Sequence, residues 1–141
     1  MYQVLSFIDY MMTRDVKLKN TKTGTIDTCF DDSDVSSGNC FGFMELEGIY
    51  DCKIELFGDE AEEGTESDCG KLVCCKVIRR NVPVGIMNMV QVLVGGDVYY
   101  VDQCEIKNIM DKDIYWYRYT RKDIIQVNDK VKKCFLPKHR S

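Results

Sequence analysis

At 141 residues and 16.3 kDa, with 45% hydrophobic, 30% charged and 11% aromatic residues, the chain has the composition and length of one globular domain, which excludes disorder and a second full core. Nineteen basic and 23 acidic groups give a net charge of −4 and a pI of about 5.0, which excludes a surface that attracts polyanions all round. The charge is divided, residues 1–70 holding five basic and sixteen acidic groups, net −11, and residues 71–141 fourteen and seven, net +7.

From the front of the chain, Met1–Asp9 has no basic n-region, no long apolar stretch and no small-residue cleavage site. No run approaches the roughly 18 apolar residues of a membrane helix. The expectation is a cytoplasmic protein without a membrane span, its eight cysteines reduced. Tyr2–Tyr10 alternates in part and reads as a strand, and Val16–Lys19, the turn Asn20–Gly24 and Thr25–Phe30 read as a hairpin. Asp31–Asn39 is a polar loop. Ile49–Phe57 alternates so that Tyr50, Cys52, Ile54 and Leu56 share the inward face. Gly58–Gly70, with six carboxylates and three glycines, reads as an exposed loop. Lys71–Arg80 and Met87–Val94 follow as strands, and Gly95-Gly96 forms a two-residue turn into Asp97–Val101. Asp102 begins a capping pattern that predicts a short helix near 103–111. Ile114–Tyr119 returns to strand composition, while Thr120–Lys133 suits either helix or strand. About seven short strands with one or two short helices predict a mostly β single domain over residues 1–141, a small barrel or sandwich.

Within it, Val4–Met12, Val16–Asn20, the Thr23-Gly24 turn, Thr25–Asp31 and Leu46-Glu47-Gly48 leading into Ile49–Gly58 carry a resemblance. The stretch Tyr2–Gly58 resembles the front of an OB-fold barrel, with its long first strand and its polar-Thr-Gly turn. That resemblance implies an OB-like barrel, although the strands downstream exceed the five such a barrel needs, and an SH3-like barrel or a two-sheet fold fits as well.

The chemistry tests are mostly negative. The single histidine, His139, stands three residues from the end of the sequence, a poor base for nucleophilic catalysis. Gly64–Leu72 imitates a phosphate loop but has five residues between its glycines where four are needed, and Leu72 where a magnesium-binding hydroxyl belongs. Asp32–Ser37 opens like a calcium loop without the required glycine or the closing glutamate. The cysteines Cys29, Cys40, Cys52, Cys69, Cys74, Cys75, Cys104 and Cys134 contain no C-x₂-C pair, the nearest approach to zinc spacing being Cys69-x₄-Cys74-Cys75. No cofactor, no metal and no enzymatic activity are expected, and the protein should act by binding.

Two surfaces are candidates for that binding. The acidic loop Asp59, Glu60, Glu62, Glu63, Glu66 and Asp68 suits docking on a basic protein partner, in an immunity or inhibitor-like role, with steering by opposite charge. The cluster Tyr115, Trp116, Tyr117, Arg118, Arg121 and Lys122 suits single-stranded nucleic acid, which stacks its bases on aromatic rings and its backbone on cations. Against that stands the packing of the three tyrosines Tyr115, Tyr117 and Tyr119 in the core. A structural or assembly component is the third class.

Overall fold

The computed structural model describes residues 1–32, 41–64 and 70–137. It is mostly β, 62% strand against 7% helical, and it contains a closed five-stranded barrel with extra strands. Ten strands form where about seven were expected: β1 (Tyr2–Asp9), β2 (Arg14–Asn20), β3 (Ile26–Asp31), β4 (Ile49–Tyr50), β5 (Cys52–Ala61), β6 (Lys71–Val84), β7 (Met87–Val94), β8 (Asp97–Asp102), β9 (Ile114–Val127) and β10 (Lys130–Val131). The surplus comes from two-residue strands and from Asp51, which interrupts the predicted Ile49–Phe57 strand.

The barrel ring runs β5-β8-β7-β6-β9 and closes by pairing of β9 with β5. All its pairs are antiparallel except β5 with β8, joined at Glu55 and Tyr100. Residues 2–31 do not enter the ring. They form the antiparallel meander β1-β2-β3, attached to the barrel where Phe30 of β3 pairs in parallel with Asp123 of β9. The barrel is built by residues 52–127, so the expected OB front over Tyr2–Gly58 contributes only β5 to it. Local alternation forms the same strands in either arrangement, and it is the long-range pairing that places the meander outside.

β9 is the strand on which everything meets. One edge pairs β5 along nearly its whole length, from Val127 with Cys52 to Trp116 with Ala61. Its other edge pairs β6 from Ile114 to Tyr119 and meets β3 only at Asp123, so Thr120, Arg121 and Lys122 pair with neither. The register against β5 slips twice, leaving Thr120 and Ile125 as extra residues on β9. Gly58 sits at the first slip, where a Cβ would lie 1.9 Å from the Arg118 carbonyl oxygen, so no larger residue fits there.

Strand continuity through Thr120–Val127 resolves the helix-or-strand ambiguity of that stretch, because Ile124, Ile125 and Val127 are all buried by two opposing cores. The main core fills the barrel and extends under the meander, with Val4, Val16, Leu18, Ile54, Leu56, Val92 and Tyr117 among its members. Cys52, Ile54 and Leu56 point inward as their alternation predicts, while Tyr50 is half-buried. A second cluster of Val82, Val84, Met89, Tyr100, Ile125 and Phe135 lies on the outer face, where the C-terminal strap, residues 130–136, covers it. Gly85 permits that closure, since its φ is +58° and a Cβ would meet the Phe135 carbonyl at 2.0 Å.

The Gly95-Gly96 turn forms as predicted, both residues at positive φ (66° and 134°). The predicted helix at 103–111 does not. Asp102 does accept a bond from the Cys104 N–H at 3.0 Å, but Asn108 takes left-handed φ (54°), and the segment divides into 3-10 turns at Gln103–Glu105 and Ile109–Asp111. β5 continues through Ala61, so the predicted loop begins four residues late, because pairing with Trp116–Tyr119 holds its polar residues in the sheet. The predicted loop at 31–39 lies, beyond Asp32, outside the described residues, as does His139. Among the described residues no helix is long and apolar enough to cross a membrane.

Candidate functional site

A groove of about 840 Å³ opens between the last turn of β5 and the β8–β9 connection. Its β5 wall is Asp59–Glu63, its opposite wall Cys104–Lys112, and Ile114, Tyr115 and Trp116 of β9 form its floor. The wall at 104–112 has only two short 3-10 turns of its own, and distant side chains help fix its path. Arg80 donates from Nε to the Ile109 carbonyl at 2.8 Å, and its terminal nitrogen bonds the Lys112 carbonyl and Asp113. Gln103 and Asn81 exchange two hydrogen bonds, 2.9 and 2.7 Å long.

Glu60 ties the walls together. It accepts from the Lys107 backbone N–H at 3.0 Å and pairs with the Lys112 ammonium. Burial works against its ionised form, but these bonds and the charges of Lys112 and Lys107 outweigh it and hold its carboxyl below the ordinary range. The carboxylate of the predicted docking residue Glu60 is therefore already engaged in bridging the two walls. Asp59, Glu62 and Glu63 line the groove, Asp59 from strand β5 and not from the loop expected there, and Glu105 joins them from the far wall. Five carboxylates and two ammonium groups line the groove, and the Glu60–Lys112 ion pair spans it. Glu66 and Asp68 lie outside the described residues.

The aromatic-basic cluster is dispersed by strand alternation. Tyr115 and Tyr117 point into the barrel, 4% and 1% exposed, with rings edge-to-face at 6.2 Å, which corrects their assignment to a nucleic-acid surface. Trp116 and Arg118 alternate to the other face, and both are half-buried. Arg121 donates to Asp123 at 2.7 Å and stacks 4.2 Å from the Phe57 ring centre and 5.0 Å from that of Phe30. Lys122 turns toward the core and pairs with Asp27. From the predicted cluster only Trp116 and Tyr115 line the groove, so the two candidate surfaces meet at one place.

Sequence reasoning missed Glu105, Lys107 and Lys112. Glu60 and Lys112 are 52 residues apart, and no local pattern connects them. Among the described residues no cluster of three or more His, Cys, Asp or Glu side chains could hold a metal ion. No family model, curated protein or solved structure matches this chain.

Proposed function

We propose that the protein is a non-catalytic docking module that captures a basic segment of a protein partner in the groove between β5 and the β8–β9 connection. The observation that carries this reading is the meeting of Trp116 with Asp59, Glu62, Glu63 and Glu105 around one concave surface. A guanidinium or ammonium entering it finds an indole to stack against and carboxylates to pair with, the combination that makes an interface hot spot. The acidic walls also raise the encounter rate with a basic partner, in keeping with an immunity or inhibitor-like role.

Trp116 is the single tryptophan of the chain, so its emission reports groove occupancy directly. Titration with an arginine-rich peptide should change that emission saturably at low salt and weaken as salt rises. The double substitution Glu62→Lys/Glu63→Lys should weaken binding at least about tenfold, equivalent to about 1.4 kcal/mol. An unchanged affinity would remove the groove from the mechanism.

A second reading rests on connectivity. The meander β6-β7-β8, the parallel pairing of β8 with β5, and β9 bridging β5 back to β6 support a reading as the strand ring of an OB barrel whose last strand has moved to the front of the chain. The 3-10 turns at 103–111 occupy the place of that barrel's helix. The parallel pair favours this reading over an SH3-like, all-antiparallel ring. OB barrels bind single strands over the face corresponding to β7–β8, and here Val131 and Phe135 of the strap already pack there on Met89 and Tyr100. Fluorescence-anisotropy titration with a mixed single-stranded oligonucleotide at low and high salt tests this reading. Salt-sensitive binding supports it, and no binding at low salt removes it.

A further inference from the structure

The unpaired stretch Thr120–Lys122 marks a fork: β9 leaves β6 after Tyr119 and does not meet β3 until Asp123. A cavity of about 320 Å³ opens in that fork, bounded by the start of β3, the start of β6 and the β7–β8 hairpin. Divergence of neighbouring strands is a recurrent way to make a ligand crevice, and barrel mouths are common sites for small molecules.

Two lysines line this cavity, Lys71 exposed and Lys122 half-buried. Lys71 is the cross-strand partner of Tyr119 and alternates with Val73, whose side chain packs on the core. Lys122 is opposite the core residue Leu56 on β5, because the bulge at Thr120 has turned it inward. An inward lysine inside a barrel has a desolvation cost that calls for a partner. Lys122 has one in Asp27, and its ammonium lies 5.0 Å from the Tyr99 ring centre and 5.3 Å from that of Tyr119. Burial disfavours the ammonium, but the bond and charge of Asp27 outweigh it and raise its proton affinity, so Lys122 is cationic at neutral pH.

The hydrogen-bond inventory decides what the cavity can accept. Asp27 accepts from Lys122 on one oxygen and from the Tyr99 hydroxyl, at 2.6 Å, on the other. Asp97 accepts on one oxygen from Thr23 at 2.6 Å and Asn20 at 3.4 Å, and on the other from Thr25 at 2.8 Å. Both carboxylates are thus engaged on both oxygens. Lys122 makes one bond to Asp27 and a long one, 3.4 Å, to the Tyr99 hydroxyl, which leaves an N–H without an acceptor among the described residues. Lys71 has no hydrogen bond or ion pair among them. Unpaired N–H donors therefore remain on Lys71 and Lys122, beside the Tyr119 ring and apolar walls at Leu56, Val73 and Val94.

We infer that the fork cavity is a binding site for a small organic anion, a phosphate monoester or carboxylate on a planar apolar body, held between Lys71 and Lys122 with its body against Tyr119. This site is separate from the docking groove, and neither proposal depends on the other.

The test is two-dimensional NMR titration of the full chain with phenyl phosphate and with benzoate, and with benzylamine as the cationic counterpart. The expected result is saturable shifts at Val94, Tyr99, Tyr119 and Lys122 for at least one of the anions, with dissociation constants near or below about 1 mM, and none for benzylamine. Lys71→Gln, at an exposed position, should weaken anion binding about fivefold, and Lys76→Gln, on the same strand but facing outward, should leave it unchanged. The paired substitution Asp27→Asn/Lys122→Met removes both buried charges together and should weaken it at least about tenfold. No saturable shift up to about 10 mM of either anion, equal binding of benzylamine, or wild-type affinity in Lys71→Gln would overturn the assignment.

Discussion

Glu55 offers a direct test of the electrostatics under the C-terminal strap. It lies on the outer face of β5, opposite Asp123 of β9 and Tyr100 of β8, and is only 7% exposed. Burial, and after it the charge of Asp123, push its carboxyl up to about 7 from an ordinary 4.5; Lys132 and Arg121 pull against the shift and Asp102 adds to it. Asp123 is raised as well, burial outweighing its bond to Arg121. Between 4.5 and about 7 the folded state binds more protons at Glu55 than the unfolded state, so stability from this group falls as pH rises through that window and levels off above it. At about 1.4 kcal/mol for each tenfold change in proton affinity, ionised Glu55 costs the fold ~3 kcal/mol at pH ~8. Glu55→Gln keeps the shape and removes the charge. Urea denaturation at pH ~5 and ~8 should show the variant close to wild type at the lower pH and about 2–3 kcal/mol more stable at the higher, a midpoint shift of about 1–2 M. Equal pH slopes in the two proteins, or a variant less stable at the higher pH, would refute a buried carboxylate held against its charge.

Three further expectations follow from single contacts. Gly58→Ala should cost about 3 kcal/mol, because its Cβ would meet the Arg118 carbonyl at 1.9 Å and the Tyr119 Cα at 2.8 Å. Gly24→Ala, at φ +79° in open space, should cost about 1 kcal/mol; equal losses in urea melts would remove the close approach as a cause. Tyr99→Phe leaves one Asp27 oxygen without its 2.6 Å donor and should destabilise by about 1–3 kcal/mol, with coupling to Asp27→Asn in a double-mutant cycle; additive effects would dissolve the pair. Iodoacetamide followed by mass-spectrometric mapping should modify the exposed Cys74 and Cys104 in the native protein. Cys29, Cys52 and Cys75, whose thiols are raised by burial, the latter two to about 12, should react only after unfolding, and early labelling of any of them would contradict the core assignment.

How much of this was legible beforehand differs from element to element. The β2–β3 turn and the Gly95-Gly96 hairpin depend on residues within a few positions of each other, and their chemistry is written locally. The same holds for the inward set Cys52, Ile54 and Leu56, since a period of two needs no partner to be read. The end of β5 was not legible, because Asp59 and Glu60 have loop composition and only their pairing with Arg118 and Tyr117 keeps them in a strand. The 103–111 segment misled for a related reason: its cap is correct, but Asn108 in left-handed conformation divides the helix that the spacing allows.

By itself, then, the sequence determined a β-rich chain, its turns, an acidic front half and an aromatic stretch whose alternate members face opposite ways, because all of these follow from side-chain chemistry over a few residues. Only the tertiary structure decided which strands close the barrel, that the meander stays outside it, and that the bulge at Thr120 turns Lys122 toward Asp27, 95 residues away. Glu60 meets Lys112 and Tyr99 meets Asp27 across 52 and 72 residues for the same reason. Register between distant strands is set by the summed burial of both partners, and one slipped residue reverses every side chain beyond it. The groove and the fork cavity are products of that register.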